Sequence, residues 1–197
     1  MGKAGAVNNG GLPVVLAVTG ASGAIYARRL LDRLRAQNLT VHLVFSGAAE
    51  EVLGIELGER PEDWEGAGVI RHGTGELSAP IASGSFRHRG MVICPCTMGT
   101  LAAVARGISL NLIHRAADVT LKERRPLIVV PRETPLTAIH LENMLALARA
   151  GAVILPAMPG FYSRPQGVEA VADTVVARIL DHLGLAAEVS PRWEGPR

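Results

Sequence analysis

The side chains best able to do chemistry stand in short clusters, each directly after an apolar run. Thr19-Gly20-Ala21-Ser22-Gly23 follows residues 13–18, and Ser46-Gly47 follows TVHLVF at 40–45. Thr97-Met98-Gly99-Thr100 comes after GMVICP and Cys96, and Arg132-Glu133-Thr134 comes after PLIVVP at 126–131. The run GAVILP at 151–156 leads into Ala157-Met158-Pro159-Gly160-Phe161-Tyr162. Arg132 suits bidentate phosphate binding, and Glu133 can give or take a proton. A charged pair at the end of a buried strand is costly unless it serves a site or closes a salt bridge. In the first cluster, small residues let backbone approach an anion, and a following helix adds free N–H groups and a positive dipole. Ser22 either adds a hydroxyl there or caps the helix. The turn is neither GxGxxG nor, lacking a Lys, a Walker loop.

Other candidates carry weaker signals. Ser46 and Thr97 each precede a helical pattern and read first as caps. Arg115, Asp118 and Lys122 fall at i, i+3 and i+7 on one helix face, where Asp118 and Lys122 could form a surface pair. Tyr162 is either an anchor or a cover for the core, and Arg178 alone reads as a solvated helix residue. The only two cysteines, Cys94 and Cys96, have no His beside them and read as small buried hydrophobes. The six histidines show no metal-ligand spacing, so no metal is expected.

The elements that must position these groups follow from periodicity. Apolar runs at 13–18, 40–45, 90–95, 126–131 and 151–156 read as strands. Between them lie helical patterns at 24–37, 47–57, 98–108, 114–124 and 137–149, with a last helix at 167–183. Ala27, Leu30, Leu31 and Leu34 make one stripe, and Val168, Val171, Val175 and Ile179 another. Residues 58–85, rich in Gly, Pro and polar side chains, carry no clear pattern. Continuous apolar strands between helices predict a doubly wound α/β domain with a mainly parallel sheet and helices on both faces. Ligands in such folds sit beyond the carboxyl ends of the strands, where all the clusters gather.

Composition narrows the function. The chain of 197 residues suits one domain. A net charge of +2 and 4% aromatics argue against nucleic-acid binding. No apolar run reaches the ~18 residues of a membrane span, and MGKAGAVNNGG lacks a signal peptide's apolar region. The division expected is a flexible tail at 1–12, a domain at 13–185 and a C-terminal tail at 186–197. Reduced thiols make a cytoplasmic location the default. A mean hydropathy of +0.25 hints at apolar surface buried between subunits.

Several stretches together resemble the UbiX-type flavin prenyltransferases. They are TGASGAIYARRLL, ASGSFRHRGMVICPCTMGTLAAVA, NLIHRAADVTLKERRPLIVVPRETPL, HLENMLALARAGAVILPAMPGFYSRPQ and VVARIL. The longest motif, RAADVTLKERRPLIVVPRETP, is the most specific; residues 48–76 and the N-terminal tail fall outside the likeness. The resemblance implies a Rossmann-like (flavodoxin-like) FMN-binding subunit of a homododecamer, with sites at subunit interfaces. Its implied reaction moves a dimethylallyl group from dimethylallyl monophosphate to nitrogen-5 and carbon-6 of reduced FMN, without metal. The prenylated FMN would serve a UbiD-type decarboxylase, in ubiquinone synthesis or on aromatic acids.

By motif, the resemblance gives FMN to Ala21, Ser22, Gly23, Ser46, Thr97, Met98, Gly99, Thr100, Arg115 and Arg132. It gives the donor phosphate to Lys122, Arg132, Tyr162 and Arg178, with the C-terminal Trp193 close by. Glu133 is implied as acid and base, with Ser22, Lys122 and Arg132 in catalytic roles. Two rivals share the cofactor: a cysteine decarboxylase of the phosphopantothenoylcysteine type, and a flavin carrier without catalysis. The first expects Asn in a Pro-x-Met-Asn pattern, where this chain has Pro159.

Overall fold

Every residue of Val14–Val18 (β1) and Val41–Phe45 (β2) is buried. Strands this apolar have both faces covered, which requires helices above and below a parallel sheet. The computed structural model, which describes residues 11–186, 189–193 and 195, has that form. The further strands are Val69–His72 (β3), Gly90–Cys96 (β4), Leu127–Pro131 (β5) and Val153–Ile154 (β6). All pairings among the described residues are parallel, in the order β3-β2-β1-β4-β5-β6. That is the Rossmann order, not the flavodoxin one, and its direction of winding reverses between β1 and β4.

Ala24–Ala36 (α1), Gly47–Leu57 (α2) and Val168–His182 (α6) cover one face. Met98–Ala105 (α3), Leu112–Lys122 (α4) and Ala138–Arg149 (α5) cover the other. The stripe Ala27, Leu30, Leu31 and Leu34 is fully buried, and each such leucine contributes about 1.5–3 kcal/mol. The second predicted stripe is displaced. Val175 and Ile179 are buried, but Val168 is exposed, and Ala172, Val176 and Leu180 complete the packed face.

Residues 58–85, without pattern in the sequence, contain β3. Only His72 of this edge strand is buried, so it lacks the apolar run of its neighbours. Its attachment to β2 includes a 2.8 Å contact between His42 Nδ1 and His72 Nε2. The strand predicted at 151–156 pairs only over Val153–Ile154, and the helix predicted at 98–108 ends at Ala105. Residues 1–10 of the predicted tail, with 187, 188, 194, 196 and 197, lie outside the described residues. No helix among the described residues is long and apolar enough to cross a membrane.

One polar group clamps the first helix to the last. Asp173 on α6 is buried and accepts from Arg29 Nη2 at 2.6 Å, Arg29 Nε at 2.9 Å and Arg33 Nη2 at 2.9 Å. Burial alone would raise the Asp173 pKa, but these bonds outweigh it and hold the carboxyl below its usual range. A depressed folded pKa gives stability that is present above the unfolded value and lost as pH falls through the folded one. Asp173→Asn should therefore cost about 2 kcal/mol near neutral pH in urea unfolding. It should also flatten the acid-side fall in stability; an unchanged midpoint would contradict the clamp.

Candidate active site

The connections that follow β1 and β4 run in opposite directions from the reversal point, and one hydroxyl joins the two strand ends. Thr19 Oγ1 donates to the Pro95 carbonyl at 2.8 Å and accepts from the Thr97 N–H at 2.8 Å. The Thr19 N–H also reaches Pro95 O at 3.2 Å. Pro95 has no N–H for the ladder, and the β4–β5 register shifts between Ile93 and Cys96. Ser46 N donates to Val18 O at 3.0 Å and Arg132 N to Cys96 O at 3.3 Å, so four strand ends are tied into one rim.

The turn after β1 needs its glycines. A Cβ on Gly20 would collide with Ala48, so the α2 backbone packs directly against the turn. Gly23 has φ 109°, and its Cβ would come 2.9 Å from the Tyr26 ring. Gly23 itself is the N-cap of α1, with no side chain capping it, so Ser22 does not fill that role. The cap is supplied from a distance. Glu56 of α2 accepts from Gly23 N at 2.9 Å and Ala24 N at 2.8 Å. Burial works to raise the Glu56 pKa, yet the bonds from Ser22, Gly23 and Ala24, with the charge of Arg132, hold it low. The helix start thus binds an anion, but the anion is the protein's own carboxylate.

The neighbouring helix starts keep free groups. Ser46 accepts from Ala49 N at 3.2 Å, and Thr97 accepts from Thr100 N at 3.2 Å, so both cap as the sequence suggested. The amides of Met98 and Gly99 find no acceptor among the described residues. A Cβ on Gly99 would meet nothing within 4 Å, so the first turn of α3 is open on that side. Such a helix start suits a phosphate group. Beneath it Cys94 and Cys96 are free and fully buried, and burial pushes both thiols far up. No cluster of three or more His, Cys, Asp or Glu among the described residues is placed to hold a metal ion.

Arg132 links the rim to two cavities. Its Nε donates to Ser22 O at 2.9 Å, and its other guanidinium N–H groups meet no acceptor among the described residues. A cavity of about 410 Å³ runs from Arg132 to Ser22, Tyr26 and Glu56. A second, of about 350 Å³, sets Arg132 and Glu133 against Leu136, Met144 and Met158. Arg132 and Glu133 do not form the strand-end salt bridge that was one alternative. Glu133 instead accepts from Thr134 N at 3.0 Å.

The remaining predicted residues lie in two other groups. On α4, Arg115 pairs with Asp118 at 3.0 Å and donates to Ala82 O at 3.2 Å, while Lys122 pairs with Glu123. The expected Asp118–Lys122 pair is therefore absent, because Arg115 takes Asp118. Beside α6, a cavity of about 420 Å³ is lined by Tyr162, Arg178, Asp181, Arg192 and Trp193. Arg178 is bonded to Asp181 at 2.8 Å and is not simply solvated. None of these cavities joins either group to Arg132 and Glu133.

Known proteins share this fold. The Flavoprotein family model matches residues 4–181. The flavin prenyltransferase UbiX of Pseudomonas aeruginosa is 53% identical over 194 residues, covering 91% of this chain and 93% of its own. The chain belongs to the UbiX-type flavin prenyltransferases. The crystal structure of AnUbiX (PadA1) in complex with FMN and dimethylallyl pyrophosphate superposes with a TM-score of 0.92. It is 43% identical, over 95% of this chain and all of that one. The dodecameric FMN-dependent Ubix-like decarboxylase from Escherichia coli O157:H7 gives 0.90, also at 43%, over 93% of this chain and all of its own.

Sequence reasoning missed Glu56 and Tyr26 in this UbiX-type chain. Glu56 lies in the stretch outside the recognised motifs, 33 residues from the turn it caps. Tyr26 lies in TGASGAIYARRLL, but its neighbours gave it no polar partner to suggest a role. Its phenol is pushed up by burial and by the nearby Cys94, against the pull of Arg132.

The Thr19 bridge is testable. Thr19→Val would leave the Thr97 N–H without its acceptor and the Pro95 carbonyl with only the Thr19 N–H, at a cost of about 2 kcal/mol. Amide exchange at Thr97 should accelerate, and Thr19→Ser should restore both. Equal stability of Thr19→Val and the parent would contradict the bridge.

Proposed function

We propose that this chain transfers a dimethylallyl group from dimethylallyl phosphate to reduced FMN. The observation that carries the proposal is the placement of Arg132 and Glu133. They line one cavity with the apolar side chains of Leu136, Met144 and Met158. A prenyl phosphate has those two halves, an apolar chain and an anion. The residues present also fit FMN: an amide cradle at α3, hydroxyls at Ser46, Thr97 and Thr100, and the cation of Arg132.

FMN, when bound, supplies the nucleophilic nitrogen-5 and carbon-6. The residues lower the barrier at the donor. As the allylic carbon–oxygen bond breaks, its electron pair leaves with the phosphate, and cations around that phosphate stabilise the growing charge without a metal. Arg132 does this from the rim. Glu133 gives a proton to the leaving oxygen; the second bond, to carbon-6, needs the remaining alkene to gain a proton as carbon-6 loses one, and Glu133 would carry that proton. The apolar wall keeps water from an allylic cation.

Lys122, Arg115, Tyr162 and Arg178 also belong to the donor and flavin sites in this reading. Within one chain they lie apart from Arg132, so they meet it only where copies assemble. A homododecamer, the assembly of the E. coli relative, supplies such contacts. Exposed Ile139, Leu141, Leu145, Met158 and Phe161 offer apolar surface for it. The product passes to a UbiD-type decarboxylase. Residues 13–185 act as one domain and the C-terminal tail reaches the site. Two buried free thiols favour a cytoplasmic home.

The test is anaerobic incubation of the protein with reduced FMN and dimethylallyl monophosphate or pyrophosphate, followed by mass spectrometry of the extracted flavin. A flavin heavier by one prenyl unit is expected; unmodified flavin with both donors would contradict the proposal. Glu133→Gln should slow prenylation about 100-fold or more while FMN affinity stays near the parent's. Unchanged turnover would remove Glu133 from proton transfer.

A further inference from the structure

Asp181, near the end of α6, holds two arginines from two different segments. Its Oδ2 accepts from Arg178 Nη1 at 2.8 Å. Its Oδ1 accepts from Arg192 Nη2 at 2.7 Å, and Arg192 Nη1 lies 3.4 Å from Oδ2. Arg178 comes from the same helix, whereas Arg192 comes from an irregular C-terminal segment. One carboxylate balances only one of the two charges, so the cluster keeps a positive charge beside Tyr162.

The segment at 190–193 has few other fastenings. The Tyr162 hydroxyl donates to Pro191 O at 3.0 Å, and the Tyr162 and Trp193 rings meet edge to face with centroids 5.7 Å apart. Arg192 and Trp193 are both exposed; Val189, just before them, packs half-buried against the core, and beyond it no buried side chain among residues 190–193 pins the stretch. Two of the three fastenings run through Tyr162. In the reading above, the Tyr162 hydroxyl turns to the donor phosphate and must then release Pro191. What still keeps Trp193 beside Tyr162, among the described contacts, is Arg192 on Asp181.

We propose that Asp181 is a positioning residue: it clips the C-terminal segment through Arg192, keeps Trp193 over the donor cavity and aims Arg178 at the donor phosphate. This rests on the prenyl-donor reading of Tyr162 and Arg178. The clip lets Tyr162 exchange a backbone acceptor for a phosphate without losing the aromatic wall beside it. Loss of the clip weakens ground-state donor binding and leaves the proton chemistry at Glu133 in place.

The experiment compares Asp181→Asn, Arg192→Gln and Arg192→Lys with the parent, all FMN-loaded. The first two should raise the KM for dimethylallyl phosphate about tenfold, with kcat changed less than about threefold. Their double variant should be no worse than either alone, and Arg192→Lys should recover part of the loss. A second readout needs no turnover. The chain has two tryptophans, and Trp64 is fully buried, so acrylamide quenching reports on Trp193. Both variants should make Trp193 easier to quench.

Arg192→Gln carries the most weight, because an exposed side chain can be changed without endangering the fold. A donor KM within about twofold of the parent for that variant would overturn the clip. So would quenching unchanged in both variants, or a loss confined to Asp181→Asn. If the parent itself makes no prenylated flavin, the reaction reading fails, and quenching alone then decides the clip.

Discussion

The reversal of winding between β1 and β4 is the constraint on which the site depends. Two parallel strands whose connections wind in opposite directions leave a crevice at their carboxyl ends. A crevice alone has no fixed shape. Thr19 fixes it by spending both functions of one hydroxyl, donating to Pro95 O and accepting from Thr97 N. Thr19 is itself buried, so its bond to Pro95 O is shielded from water. The α1 turn, the α3 start and the Arg132 end of β5 then stand at set distances around one gap.

Charge is distributed around that gap by the backbone as much as by side chains. The α1 start carries a positive dipole, and Glu56 neutralises it from within the chain. Among the described residues the α3 start has no such internal anion, and its amides at Met98 and Gly99 stay available. Two equivalent helix starts thus differ in function because α2 sends a carboxylate to one of them. Arg132 stands between, tied to the Ser22 carbonyl through Nε only, with the rest of its fork free.

Much of this was legible in the sequence, for a physical reason. Strands covered on both faces must be continuously apolar, so β1, β2, β4 and β5 announced themselves, and with them the rim of polar groups at their ends. The edge strand β3 did not, because Arg71 and His72 cut the apolar run short after Val69-Ile70. Ser46 and Thr97 were readable as caps since capping is local. Of the two readings open for Ser22, the cap fails because its helix start is capped from 33 residues away, and no local pattern encodes Glu56. The separation of Arg115, Lys122, Tyr162 and Arg178 from Arg132 is a property of chain topology that residue types cannot reveal.

That separation makes shared sites the central claim. The direct measurement mixes two variants damaged in different groups, Glu133→Gln at the rim and Arg178→Ala beside α6, by co-expression and purification of the mixed assembly. If each site draws these residues from different copies, some sites in the mixture are intact, and prenylation should recover well above that of either variant alone. Activity of the mixture equal to the average of the two variants would contradict the account and place both residues in one chain's own site.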